Sequence, residues 1–336
     1  MKRWLLTALS FAVVLAVSVY AVRSGAPQGV DLAIPLRAHL LALGAFVVEV
    51  VARSIKLTLS AKAVHSRLPL TTSVRTSLGG DFGASITPAR VGSEPARFLI
   101  LKEAGVPLGE AMVILYTELF LEAVSLAVVV TIIAVLFRAS GKAFVAMIGV
   151  VGGYAMFVIG LGLLGYILSR REVADEPPGW AHRVRLHGKR WEIVRRWFGR
   201  VRTTVDAFRD MSLGWAALSL IASVVHVGVR FTVLPAIVYS TTTAPVPLAP
   251  LVVWPLGIIY GAGVVPAPGG GGAVELTFRA ALHGVIPATT FAAALVWWRF
   301  YTFYIYIVLG GLIAGNTALR AVREAEEAEE ELERGE

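Results

Sequence analysis

Apolar residues in this chain come in long runs, not in the alternating or one-faced patterns of a soluble fold. Trp4 to Val22 carries no charge, and largely apolar stretches follow at about 39–60, 111–137, 143–169, 212–238, 248–264 and 287–316. Roughly 20 such residues suffice for a helix to cross a bilayer, so the pattern predicts about seven spans. The first run, 19 residues behind Lys2 and Arg3, exceeds the roughly 7–15 residues of a signal-peptide core. It reads as an uncleaved span with the N-terminus inside.

Two places break the apolar pattern. Val265 to Glu275 interrupts the longest uncharged stretch, Phe231 to Val274, with Pro266, Pro268 and the glycines Gly269, Gly270, Gly271 and Gly272, and ends on Glu275. Thr87 to Arg97 holds Pro88, Arg90, Gly92, Glu94 and Arg97 between apolar flanks at Leu78–Ile86 and Phe98–Leu101, a pattern that suits two short helices meeting at a break. Proline and glycine strip a helix of hydrogen bonds. At membrane depth such backbone survives only where it is buried in protein or lines a wet cavity. Either break is thus a plain external loop or a re-entrant turn.

Charge bias separates these readings for the second break. The loops placed inside hold six and eleven Lys/Arg (62–110 and 170–210), and those placed outside hold two, two and none. Basic residues stay on the cytoplasmic side. A re-entrant turn at 265–275 lets the seventh span run inward, leaving Arg320 and Arg323 inside.

Several charges fall within the predicted spans. Glu49 and Arg53 lie four apart, as do Glu118 and Glu122, and His226 and Arg230; Arg299 stands in the last span. Residues at that spacing share a helix face, and ionisable groups in a span usually face the bundle interior and mark a polar path. Lys56, nearer a helix end, is expected to snorkel to the interface. The fourth span is uncharged and glycine-rich, which suits close helix packing. His226 reads either as a hydrogen-bonded core histidine or, with Arg230, as an acid or phosphate group of an intramembrane enzyme.

The two breaks superpose. Pro88 and Gly92 lie four positions apart, as do Pro268 and Gly272, and Pro88 and Pro107 lie nineteen apart, as do Pro268 and Pro287. Each break precedes a carboxylate (Glu94, Glu275), a short apolar segment with Gly105 or Gly284, and a proline that starts a charged span. With span three pointing outward and span seven inward, the repeat is inverted, the arrangement that permits alternating access. Helix N-termini brought to the midplane would suit an anion such as phosphate.

Composition fits this picture: 336 residues, 56% hydrophobic and 16% charged, with a mean hydropathy of +0.71. Net charge is +8. The excess sits in loops, where the orientation rule and anionic headgroups account for it without nucleic acid. Between Trp191 and Phe208 apolar residues fall on one side and arginines elsewhere, as in a helix lying on an anionic inner leaflet. No cysteine is present, which excludes disulfides and thiolate ligands. No zincin, nucleophile-elbow or Walker pattern occurs, so no metal, cofactor or direct use of ATP is expected.

The residues from Pro88 to Arg97 and from Pro266 to Glu275, followed by Arg299, resemble the signatures of the lysylphosphatidylglycerol synthase transmembrane-region family, over about 1–320. The resemblance implies the flippase-like domain of multiple peptide resistance factors in a stand-alone form. Glu118-Leu119-Phe120-Leu121-Glu122 stands where the family carries Glu-Arg-x-x-Asp, so an arginine is missing at Leu119. A cytosolic aminoacyltransferase domain is not expected, so only the translocation half of the chemistry is implied.

The resulting expectation is an all-α polytopic membrane protein with about seven spans and two re-entrant helical hairpins in an inverted repeat. Residues 1–319 form the transmembrane domain, with a basic cytoplasmic loop at 170–210, and 320–336 an acidic tail that is a solvated helix or disordered. The expected path is lined by Arg53, Pro88, Arg90, Gly92, Glu94, Arg97, Glu118, Glu122, Pro268, Gly269, Gly270, Gly272, Glu275 and Arg299, with Glu49, His226 and Arg230 as secondary candidates. Its cargo would be a membrane phospholipid of unstated identity, moved in a cell membrane with both termini cytoplasmic. The alternatives are an intramembrane lipid-modifying enzyme or a non-transporting accessory subunit, and homo-oligomer formation is left open.

Overall fold

A computed structural model describes residues 16–24, 31–87, 90–138, 142–170, 174–178, 181, 188–261, 265, 267 and 270–334. The described residues form helices and connecting turns. A helical stretch at 16–24 (α1) precedes α2 (Leu36–Ala63), α3 (Leu70–Ile86), α4 (Ser93–Glu103), α5 (Leu108–Phe137), α6 (Lys142–Ser169) and α7 (Lys189–Arg209). Then come α8 (Leu213–Arg230), α9 (Val233–Thr241), α10 (Leu248–Gly261), α11 (Ala273–Leu282), α12 (Ala288–Arg299) and α13 (Ile305–Arg334). A wide π turn, Phe300–Tyr304, joins α12 to α13.

Proline sets several helix starts. Pro35, Pro69, Pro107 and Pro287 stand immediately before α2, α3, α5 and α12, where a missing N–H costs nothing because no intrahelical acceptor awaits it.

Four helical segments are long and apolar enough to cross a membrane: Leu108–Phe137, Met147–Ser169, Leu213–Thr241 and Ala288–Thr317. Of the remaining expected spans, the first lies largely outside the described residues. Helix α2 has the length, at 28 residues, but carries buried charge along it, and α10 has only 14 residues.

Helices α3 and α4 form a tight hairpin around the first Pro/Gly break, and α13 packs against it. A Cβ on Gly83 would lie 2.4 Å from the Gly92 carbonyl oxygen, and one on Gly310 would lie 2.4 Å from the Leu78 carbonyl oxygen. Only hydrogen in place of a side chain permits such approach. Glu103 at the end of α4 fastens the contact, accepting from Thr317 Oγ1 at 2.8 Å and pairing with Arg320. The acidic tail is helical, as the continuation of α13 to Arg334.

The second half is held by an aromatic and aliphatic core in which Phe278 of α11 packs on Phe291 and Trp298 of α12, with Leu234 and Ile237 of α9. Helix α6 corrects one expectation. Its glycines do not mediate close packing: Gly149, Gly152, Gly153 and Gly160 face open space, and only Gly162 is closely approached, by the Tyr116 hydroxyl. Met156, Phe157 and Ile159 beside them are exposed, as befits a helix whose outer face meets lipid rather than protein.

Candidate functional site

Helix α2 organises the first group of charges. Glu49, Arg53 and Lys56 recur at spacings of four and three, so one face carries all of them. Arg53 reaches α3, where Nη1 meets Asp81 Oδ2 at 2.5 Å and Nη2 donates to the Ser77 carbonyl at 3.0 Å. Its own-helix partner, Glu49, is farther away at 4.0 Å. Asp81 also faces Arg90 Nη2 at 3.8 Å, and Arg90 sits in the connection between α3 and α4 with a left-handed φ of 61°. A non-glycine residue in that region is uncommon and marks a constrained turn.

One turn further, Lys56 is wholly buried between two carboxylates of α5. Its Nζ lies 2.8 Å from Glu118 Oε1 and 2.6 Å from Glu122 Oε2. The expected snorkelling does not occur: α5 stands at the end of the side chain, and an ammonium held by two carboxylates needs no water to be neutralised. Glu118 is shared with Arg97 of α4, whose other terminal nitrogen meets Glu94 at 3.2 Å.

At the other end of the α2 face, Glu49 is buried. It accepts from the Tyr306 hydroxyl of α13 and faces His226 Nε2 of α8 at 3.1 Å. Arg230, one turn beyond His226, stacks its guanidinium 5.5 Å from the Tyr306 ring centroid and donates to the Thr302 carbonyl in the π turn at 3.2 Å. Acids and bases thus alternate through α2, α3, α4, α5, α8 and α13. Burial deepens from an edge made of Glu94, Arg90 and Glu122, whose side chains are 53%, 35% and 23% exposed, to Lys56 at 0%. Several polar atoms in this network, the donors Arg97 Nε and Arg230 Nε and one ring nitrogen of His226 (Nδ1), are buried without a hydrogen-bond partner among the described residues.

A second group lies in the other half. Glu275, in the first turn of α11, accepts from its own helix start, Gly272 N, at 2.7 Å and from Arg299 Nε at 2.8 Å. Gly272 and Gly270 take φ of 79° and 67°, which only glycine adopts freely. The Arg299 guanidinium also lies 4.3 Å from the Phe303 ring centroid. This pair lines a cavity of about 430 Å³ that includes Ser18 and Arg23 of α1 and Tyr304. Among the described residues no ion pair joins the two groups. They approach through the π turn, where Thr302 receives Arg230 and the following residues shelter Arg299.

The structure therefore brings together Arg53, Arg90, Glu94, Arg97, Glu118 and Glu122, and adds Glu49, His226 and Arg230 to the same network. Gly92 serves the hairpin itself, donating from its N–H to Thr87 Oγ1 at 2.9 Å. Pro88, Pro268 and Gly269 lie outside the described residues. Three members escaped the sequence reading. Asp81 stands in the Leu78–Ile86 stretch that reads as an apolar flank, Lys56 is expected at the interface, and nothing in the sequence singles out Tyr306. A lone carboxylate among Gly79, Gly80 and Gly83 was the one available signal for Asp81.

Residues 4–310 match the family model described as lysylphosphatidylglycerol synthase TM region. No curated protein matches the chain.

Proposed function

The chain belongs to the lysylphosphatidylglycerol synthase TM region family, and on that premise we propose that it is a transporter that moves a phospholipid or related amphipathic anion between membrane leaflets. The observation that carries the reading is the buried ionic network graded from an exposed Arg90–Glu94 edge to the sealed Lys56. Charges at such depth are costly and are kept where a polar species must pass. Arg97 Nε and Arg230 Nε, without a partner among the described residues, are the donors that phosphate oxygens would satisfy.

In this proposal α3–α4 and the 265–282 region are re-entrant hairpins, the two halves form an inverted repeat, and about seven helices span a cell membrane. The N-terminus and α7 lie on the cytoplasmic side, where the basic residues concentrate. Alternating access would follow from rocking one half against the other. The histidine that an enzyme would need is sealed against Glu49 at 3% exposure, which favours transport over lipid chemistry.

Reconstitution into liposomes with fluorescent phospholipids of several headgroups tests the proposal. Accelerated loss of leaflet asymmetry is expected, and Asp81→Asn should reduce it. Folded protein that accelerates none of the headgroups would overturn the reading.

A further inference from the structure

The apolar side of α7 does not close on the helices beside it. Between α7, the first half of α5 and the last half of α6 lies a cavity of about 700 Å³, with Tyr116, Phe120, Leu163, Trp197, Val201 and Phe208 in its walls. Its volume falls in the ordinary range for small-molecule sites, ~300–1,000 Å³. Ile159, Leu163 and Leu164 both line it and are exposed on the outer face of α6, so the space is continuous with the surface that meets lipid.

Cations gather where the cavity meets the helix ends. Arg209 lines it, and the Arg170 guanidinium stacks 4.7 Å from the ring centroid of Tyr166, another lining residue. Arg202 donates from Nε to the Ser169 carbonyl at the end of α6, at 3.0 Å. No carboxylate lines the cavity, and Arg209 has no ion pair among the described residues, whereas Arg195 and Arg196 on the far face of α7 are paired with Asp175 and Glu192.

We propose that this cavity holds one acyl chain of an anionic phospholipid, with the phosphate at Arg209. The wall is apolar enough for a chain, and the basic rim selects against a headgroup of no net charge. The chain would fill the space between an amphipathic helix and two spans, so that α7 is seated by lipid as well as by Phe208 packing on Tyr116 and Phe120. This site is separate from the ionic network, and its occupancy can be read whether or not the protein transports lipid.

The test uses full-length protein in nanodiscs of phosphatidylglycerol and phosphatidylcholine, doped with phosphatidylglycerol bearing a diazirine in its acyl chain. After irradiation, adducts are mapped by peptide mass spectrometry. Adducts concentrated on the cavity-facing peptides of α5, α6 and α7 are expected. Phosphatidylglycerol should compete about fivefold better than phosphatidylcholine: both present a phosphate, but only phosphatidylglycerol keeps a net negative charge for one basic residue near the surface to attract. Val205→Trp, which fills the cavity from α7, should remove most adducts there. If that variant does not fold, Leu163→Trp fills it from α6. Arg209→Gln, at an exposed position, should keep the adducts but lose the headgroup preference. Adducts spread evenly over Met156 and Phe157 on the outer face and untouched by the filling variants would overturn the site. Equal competition by the two lipids would overturn its anionic character.

Discussion

Replacing Lys56 with methionine isolates the deepest contact of the ionic network. The ammonium is 0% exposed and lies 2.6 Å from Glu122 and 2.8 Å from Glu118. Methionine keeps the unbranched stem and fills most of the volume, so the change is chiefly electrostatic. Removing one partner of a buried pair costs ~3–5 kcal/mol, because the remaining charge is stranded. Glu118 keeps Arg97, and Glu122 is 23% exposed at the side chain, so the lower end, about 3 kcal/mol, applies. Each kilocalorie shifts the unfolding midpoint by about 2–4 °C in domains of 150–250 residues, and less in longer chains. A fall on the order of 5–8 °C is therefore expected, read by thermal unfolding of purified protein in detergent. The pair of changes Lys56→Met and Glu122→Gln leaves no stranded charge and should recover at least about half of that loss. A single variant within about a degree of the wild type, or a double variant no better than the single, would refute the argument that Lys56 is held by these carboxylates.

Four further outcomes follow from the same geometry. Asp81→Asn removes the 2.5 Å partner of Arg53 and the carboxylate that faces Arg90 at 3.8 Å; liposome translocation should fall by about tenfold or more, equivalent to ~1.4 kcal/mol of barrier. Tyr306→Phe deletes the hydroxyl that donates to buried Glu49 and should cost ~1–3 kcal/mol in thermal stability. Gly83→Val places a side chain where a Cβ already falls 2.4 Å from the Gly92 carbonyl oxygen, whereas Gly149→Ala meets nothing within 4 Å; only the former should lose its monodisperse peak in size-exclusion chromatography. Arg299→Gln leaves Glu275 with its Gly272 cap alone, and a reduced unfolding midpoint is expected, rescued in part by Glu275→Gln.

Much of the network was legible because helical spacing is a local property. Glu49 with Arg53, Glu118 with Glu122 and His226 with Arg230 could each be placed on one face from their numbers alone. Their partners could not, since which helix lies against α2 is decided by packing. Asp81 reaches Arg53 because α3 lies against α2, while Gly79 and Gly83 let α3 approach α4 and α13. Lys56 was misread for the same reason: snorkelling presumes lipid or water at the stem's end, and α5 stands there instead. The glycines of α6 show the converse. Composition suggested contact, but no neighbouring helix was within reach of most of them.

The proposed repeat gives the two halves one construction with opposite charge. In the first half Arg97 of α4 meets Glu118 of α5; in the second Glu275 of α11 meets Arg299 of α12. Both pairs join the short helix after a break to the long helix that follows it, but acid and base have exchanged helices. Since Pro88 and Pro268 differ by 180 positions, Arg299 corresponds to position 119, which is Leu119. The first half thus lacks a cation on α5 itself and takes one from α2, as Lys56 between Glu118 and Glu122. A cation borrowed from a neighbouring helix can separate from its partners when helices shift, whereas one built into the same hairpin unit, as Arg299 is, moves with it. The Lys56 contacts are therefore the more exposed to a shift of α2 against α5, and the Glu275–Arg299 pair the less.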